Sequence, residues 1–114
     1  MEESVSREIM GASSVPLILS ILNEGDTYGY EIMQKIYELS DQKISWKEGS
    51  LYPVLKRLEQ QGLIKSYWNT EGPRARKYFK MLKPGTKVLE KELNDWRLMI
   101  SVMNKLCNVQ LNSI

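Results

Sequence analysis

The stretch Glu48-Gly49-Ser50-Leu51-Tyr52-Pro53-Val54-Leu55-Lys56-Arg57-Leu58-Glu59-Gln60-Gln61-Gly62 decides how this chain is read. Leu51, Leu55 and Leu58 recur at i, i+4 and i+7, which places three apolar side chains on one face of an α-helix, with Val54 beside them. Gly62 is a natural stop, because a glycine ends a helix in the left-handed conformation without a Cβ clash. The opposite face carries Gly49, Pro53, Lys56 and Gln60, flanked by Tyr52 and Arg57, and is polar, basic and lightly packed. Pro53 lacks the backbone donor that the Gly49 carbonyl would have met. The pair predicts a distorted first turn whose backbone a phosphate can approach. Lys47 offers no good N-cap.

Downstream, residues 64–69 read as a strand containing Tyr67 and Trp68, and residues 70–75 as a turn with Gly72 and Pro73. Residues 76–82 form the return strand. The tip and this strand carry Arg74, Arg76, Lys77 and Lys80. Pro84 and Gly85 precede a last helix in which Leu89, Leu93, Trp96, Ile100, Met103 and Cys107 follow one another at alternating steps of four and three. That spacing is the stripe of a helix packed on a partner helix, and Met99, Val102 and Leu106 adjoin it. So much apolar surface at the end of a small domain predicts a dimer interface made of Leu89, Leu93, Trp96, Ile100, Met103 and Cys107. The alternative is a helix folded back on the first one.

Upstream, Val15, Ile18, Leu19 and Leu22 share one helical face, widened by Leu17 and Ile21. Ser13 or Ser14 can cap this helix, Pro16 fits its first turn and Gly25 ends it, with residues 6–12 a separate or continuous turn. A second helix is expected from about Thr27 or Tyr28 to Leu39, with Ile32, Ile36 and Leu39 facing inward. A short extended piece follows near residues 43–46. Helix, helix, helix, hairpin, helix is a mainly α fold with a small β-hairpin: a winged helix-turn-helix with a long C-terminal dimerisation helix. Residues 1–82 hold the N-terminal helices and winged DNA-binding region and residues 83–114 the dimerisation helix, within one compact domain.

Composition narrows the function. The 114 residues carry a net charge of only +2, yet residues 1–46 hold three cations against eight carboxylates and residues 47–91 hold eleven against four. A basic middle on a nearly balanced chain is the footprint of a nucleic-acid face, since clustered cations release phosphate counterions. The chain has no histidine and a single cysteine, Cys107. Catalytic triads, metal sites and cofactors are therefore not expected. No apolar run reaches the roughly 20 residues of a membrane-spanning helix, so a cytoplasmic protein without membrane contact is expected.

Three segments are recognisable as words. Residues 49–64, Gly49-Ser50-Leu51-Tyr52-Pro53-Val54-Leu55-Lys56-Arg57-Leu58-Glu59-Gln60-Gln61-Gly62-Leu63-Ile64, resemble the signature of the PadR family of bacterial transcriptional regulators. Tyr28-Gly29-Tyr30-Glu31 resembles the start of that family's second helix, and Arg74-Ala75-Arg76-Lys77-Tyr78-Phe79 resembles its wing. The resemblance spans about residues 12–107. It implies a homodimer, joined largely through the last helix with help from the first, that represses transcription from a near-palindromic operator on double-stranded DNA. Many relatives release DNA on binding a small aromatic or amphipathic effector. Where the family often has a threonine before the last helix, Leu82 stands.

Together the residues and the resemblance give an expected DNA-contact set of Tyr28, Ser50, Tyr52, Pro53, Lys56, Arg57, Arg74, Arg76 and Lys77, with Tyr30 assigned to packing. Most of these contacts should position the protein on the backbone. Trp96 is the candidate ligand contact, because multidrug-sensing relatives stack a planar ligand on a tryptophan in this part of the helix. A cationic ligand would rely on Glu92, Asp95 or ring stacking, and an apolar or weakly acidic aromatic ligand fits the site equally. The competing readings are a winged-helix interaction module that binds no DNA and a carboxylate enzyme, which the missing histidine disfavours.

Overall fold

A computed structural model describes residues 5–107. Its elements in order are α1 (Arg7–Glu24), β1 (Thr27–Tyr28), α2 (Gly29–Leu39), α3 (Glu48–Gln60), β2 (Ile64–Asn69), β3 (Arg76–Met81) and α4 (Lys83–Cys107). The fold is mainly helical with a small three-stranded antiparallel sheet, strand order β1-β3-β2.

α1 starts two turns before the serines expected to cap it. Ser6 is the cap, its hydroxyl accepting from the Ile9 amide at 3.2 Å. Ser13 and Ser14 instead turn their hydroxyls back to the Ile9 and Gly11 carbonyls, at 2.7 and 2.9 Å. Pro16 thus lies inside the helix, where it cannot donate to the Ala12 carbonyl. Burial of Pro16, Ile18, Leu19, Ile21 and Leu22 along the same segment offsets that loss.

The expected start of the second helix proves to be a strand. Thr27 and Tyr28 pair with Phe79 and Tyr78, so the hairpin gains a third strand and α2 begins at Gly29. Two residues are too few for periodicity to register. Ile32 and Ile36 face inward as expected, but Leu39 is 72% exposed because it closes the last turn, beyond the edge of the core. Residues 43–47 follow without regular structure, with Trp46 folded into the core.

α3 buries Leu51, Leu55 and Leu58 completely or nearly so. Each such leucine contributes about 1.5–3 kcal/mol of hydrophobic stabilisation. Gly62, at φ 76°, ends the helix, with the Leu63 amide reaching back to the Leu58 carbonyl at 3.0 Å and the Gly62 amide to that of Glu59 at 3.0 Å. This double bond pattern is the Schellman stop the glycine foretold. The α3 helix is continuous through Pro53.

Pro84 and Gly85 lie inside the first turn of α4 rather than ahead of it. Leu82 ties the entry by donating its amide to the Leu63 carbonyl at 3.0 Å, and its own carbonyl accepts from Gly85 and Thr86. A Cβ on Gly85 would sit 2.3 Å from the Leu63 oxygen and 2.8 Å from the Met81 sulfur. Only glycine lets α4 leave the sheet this closely. The core comprises α1, α2, α3, the sheet and the first turns of α4, where Leu89 is 5% exposed and Val88 and Leu93 pack against it. Leu89, assigned to the dimer stripe, is therefore spent within its own chain.

Candidate nucleic-acid interface

Because the three leucines of α3 turn inward, Ser50, Tyr52, Pro53, Lys56 and Arg57 all lie exposed on its outer side. Tyr52 has two roles. Its ring is 41% exposed, yet its hydroxyl end rests over Gly29, where a Cβ would be 2.2 Å away. The Tyr28-Gly29 step thus lets α3 close on the start of α2. Partial burial, and then the Glu48 charge, push the Tyr52 phenol above its ordinary value, so it stays a neutral donor.

The outer side of α3 is joined to the wing by Glu59. Its carboxylate accepts from the Ser66 amide at 3.0 Å and from the Ser66 hydroxyl at 2.7 Å. Those bonds, helped by the charge of Lys77, hold Glu59 below the usual carboxylate range against the opposing effect of its burial. Between helix and wing lies a crevice of about 500 Å³, lined by Tyr52, Leu55, Lys56, Glu59, Gln60, Lys77 and Phe79. Lys56 and Lys77 flank it from its two sides.

Strand alternation divides the basic residues of the wing. The register Ser66↔Phe79 and Trp68↔Lys77 puts Lys77 on the face turned to α3, with its ammonium 6.0 Å from the Phe79 ring centre. Arg76 points to the other face. There its guanidinium lies 4.6 Å over the Tyr28 ring, Tyr28 meets Tyr78 at 5.3 Å, and Tyr78 meets Tyr67 at 5.9 Å. Tyr67 donates its hydroxyl to Asp26 at 2.7 Å, which raises its phenol. Tyr28 is thus engaged in an aromatic ladder under Arg76, and Tyr30, expected to pack, is 60% exposed. Sequence reasoning missed this ladder, although the alternation Arg76, Tyr78, Lys80 against Lys77, Phe79, Met81 carried its signal. Arg74 is exposed in the connecting turn.

The charge segregation of the sequence is also spatial. A groove of about 580 Å³ between the end of α1 and α2 is bordered by Glu24, Asp26, Glu31 and Glu38, with Lys35 ion-paired to Glu24 at 2.6 Å. That groove repels phosphate. The cations assemble instead on α3 and the wing.

α4 forms the second region of interest. Beyond Leu93 its apolar residues leave the core: Trp96 and Ile100 are half-buried, and Met99, Val102, Met103 and Leu106 are 54%, 39%, 43% and 79% exposed. Ile9 on α1 is 53% exposed as well, and Cys107 is exposed. Asp95, one of the carboxylates considered for a cationic ligand, is bound to Lys91 at 2.7 Å.

Three helices, an outward basic third helix and a hairpin braced against it by Glu59 make this a winged-helix transcription regulator. Residues 18–91 match the transcriptional regulator PadR-like family, and the chain belongs to that family. A transcriptional regulator from Clostridium thermocellum shares 37% identity with it at a TM-score of 0.81, covering 89% of this chain and 96% of that one. A PadR family transcription regulator from Clostridium difficile shares 38% identity at a TM-score of 0.74, covering 83% and 98%. An uncharacterized protein from Lysinibacillus sphaericus is 34% identical over 82 residues, 70% of this chain and 74% of that one. Members of the family regulate transcription and are not enzymes.

Proposed function

We propose that the chain is a cytoplasmic repressor that binds a pseudo-palindromic operator as a homodimer, through residues 48–62 and the basic wing. The observation that carries this reading is the row of exposed side chains on α3, Ser50, Tyr52, Pro53, Lys56 and Arg57, with Lys77 across the crevice from Lys56. α3 enters the major groove, and Arg74 and Lys77 reach the flanking backbone. Arg76 and Tyr28 act together on the other side of the wing, the ring holding the guanidinium where a phosphate can meet both. Binding to duplex DNA must then fall steeply with salt, with a log–log slope of about −0.9 per phosphate neutralised. Absence of duplex binding at low salt would leave the interaction-module reading in its place.

The open stripe of α4 supports the dimer. Trp96, Ile100, Met103 and Cys107, joined by Met99, Val102, Leu106 and by Ile9 of α1, supply an apolar face that a second copy covers by two-fold symmetry. Sedimentation equilibrium measures it. A small planar aromatic compound seated against Trp96 is the proposed releasing effector. If a Trp96→Ala variant binds such compounds as tightly as the parent, that assignment is wrong.

A further inference from the structure

Trp68 lies beside the basic residues of the wing and has no function assigned so far. It is 64% exposed, the most exposed of the aromatic side chains. Its cross-strand partner is Lys77, and the pair lies one step outward from Ser66↔Phe79, on the face of the wing turned toward α3. Ser66 proves that orientation, because both its amide and its hydroxyl bond Glu59 of α3. Among the described residues the indole N–H meets no acceptor, although Tyr67 next to it is bonded to Asp26. A large apolar ring left in water with a spare donor, next to a lysine that itself borders the crevice opposite Lys56, is matched to an anionic partner that also offers an apolar surface.

Resting on the DNA-binding reading above, we propose that Trp68 is a direct contact to duplex DNA, laying its ring on a deoxyribose beside the groove occupied by α3 and donating its N–H to the adjoining phosphate. The sugar supplies the apolar surface and the phosphate the acceptor, while Lys77 neutralises charge at the same place. Duplex DNA, rather than a partner protein, is the occupant because Lys77 and Lys56 outnumber the one carboxylate of the crevice, Glu59, whose oxygen is already taken up by the Ser66 amide and hydroxyl. The contact makes the wing more than an electrostatic arm: it adds a term that salt does not remove.

The test uses the full chain and a fluorescein-labelled duplex of mixed sequence, titrated by anisotropy at several salt concentrations. Trp68→Ala is expected to weaken binding by about 5- to 30-fold, the span of one good contact, with an unchanged salt slope. Lys77→Gln is expected to reduce the slope by about 0.9. Trp68→Phe, which keeps a ring but loses the N–H, should fall between parent and Trp68→Ala. Should the alanine variant fold poorly by circular dichroism, emission decides: adding duplex to the parent must alter a tryptophan component that the Phe variant lacks. Parent-like affinity in Trp68→Ala, a slope that drops with it, or a Trp68 emission indifferent to duplex each overturns the proposal while leaving DNA binding intact. Failure of the parent itself to bind duplex overturns both.

Discussion

α3 and α4 are written in the same apolar rhythm and end in opposite environments. In α3 the leucines at 51, 55 and 58 are sealed by α1, α2 and the sheet. In α4 the rhythm begins in that core at Leu89 and runs out of it, until Leu106 is 79% exposed. Spacing therefore states that a helix needs cover, and only the packing states who provides it. The outer side of α3 stays exposed because its inner side is settled within the chain, whereas the apolar side of α4 beyond Leu93 is left uncovered by its own chain, the face the proposed dimer uses.

Substitution in the sealed stripe should give the largest effect. Leu55→Ala is expected to cost about 2–5 kcal/mol in urea unfolding, independent of protein concentration. Next, Met99→Glu sets a charge on the open stripe and should cost about 2 kcal/mol or more of association, read as monomer by sedimentation equilibrium, with the monomer's fold unchanged by circular dichroism. If Met99→Glu instead unfolds a monomer, the contrast between the helices collapses. At the joint between α4 and the sheet, Gly85→Ala should lower stability by about 1–3 kcal/mol, since its Cβ meets the Leu63 carbonyl. A parent-like melting temperature would show that α4 can shift outward at no cost.

A smaller, pH-dependent effect belongs to the brace between α3 and the wing. Glu59 is held below its ordinary value of 4.5, so its contribution is fully present above that pH and lost as pH falls through the lower folded value. Thermal melts from pH 7 down to 3 should show an acid-side loss in the parent that is shallower in Glu59→Gln. The smallest change is expected on the exposed side of α4. Asp95→Asn breaks only the surface pair with Lys91, whose partners both stand in water, and should leave the melting temperature within the scatter of repeat melts.

Much of this was legible in order along the chain. The α3 leucines, its outer polar side and its Gly62 stop could be read because each is a local rule of a helix of ordinary length, and the wing followed from its breakers and flanking strands. The first helix was placed too late because Ser13, Ser14 and Pro16 make a plausible start, and local propensity yields when five buried residues carry the helix through a proline. Tyr28 and Tyr30 were harder, since two residues of strand have no period, and which tyrosine is covered depends on β3 and on Arg76 arriving from 48 residues away.

The sequence by itself determined the class of element at almost every position, the basic middle, and the family words that match the PadR-like model. These rest on periodicity, charge and short-range stereochemistry, which a linear string contains. Tertiary structure alone decided that β1 joins the sheet, that Arg76 and Lys77 point to opposite faces, that Leu89 is spent in the core, and that Trp68 stands uncovered beside a lysine. Each of those outcomes depends on which distant surface is already occupied. Burial is a property of neighbours, and neighbours are assigned only when the chain has folded.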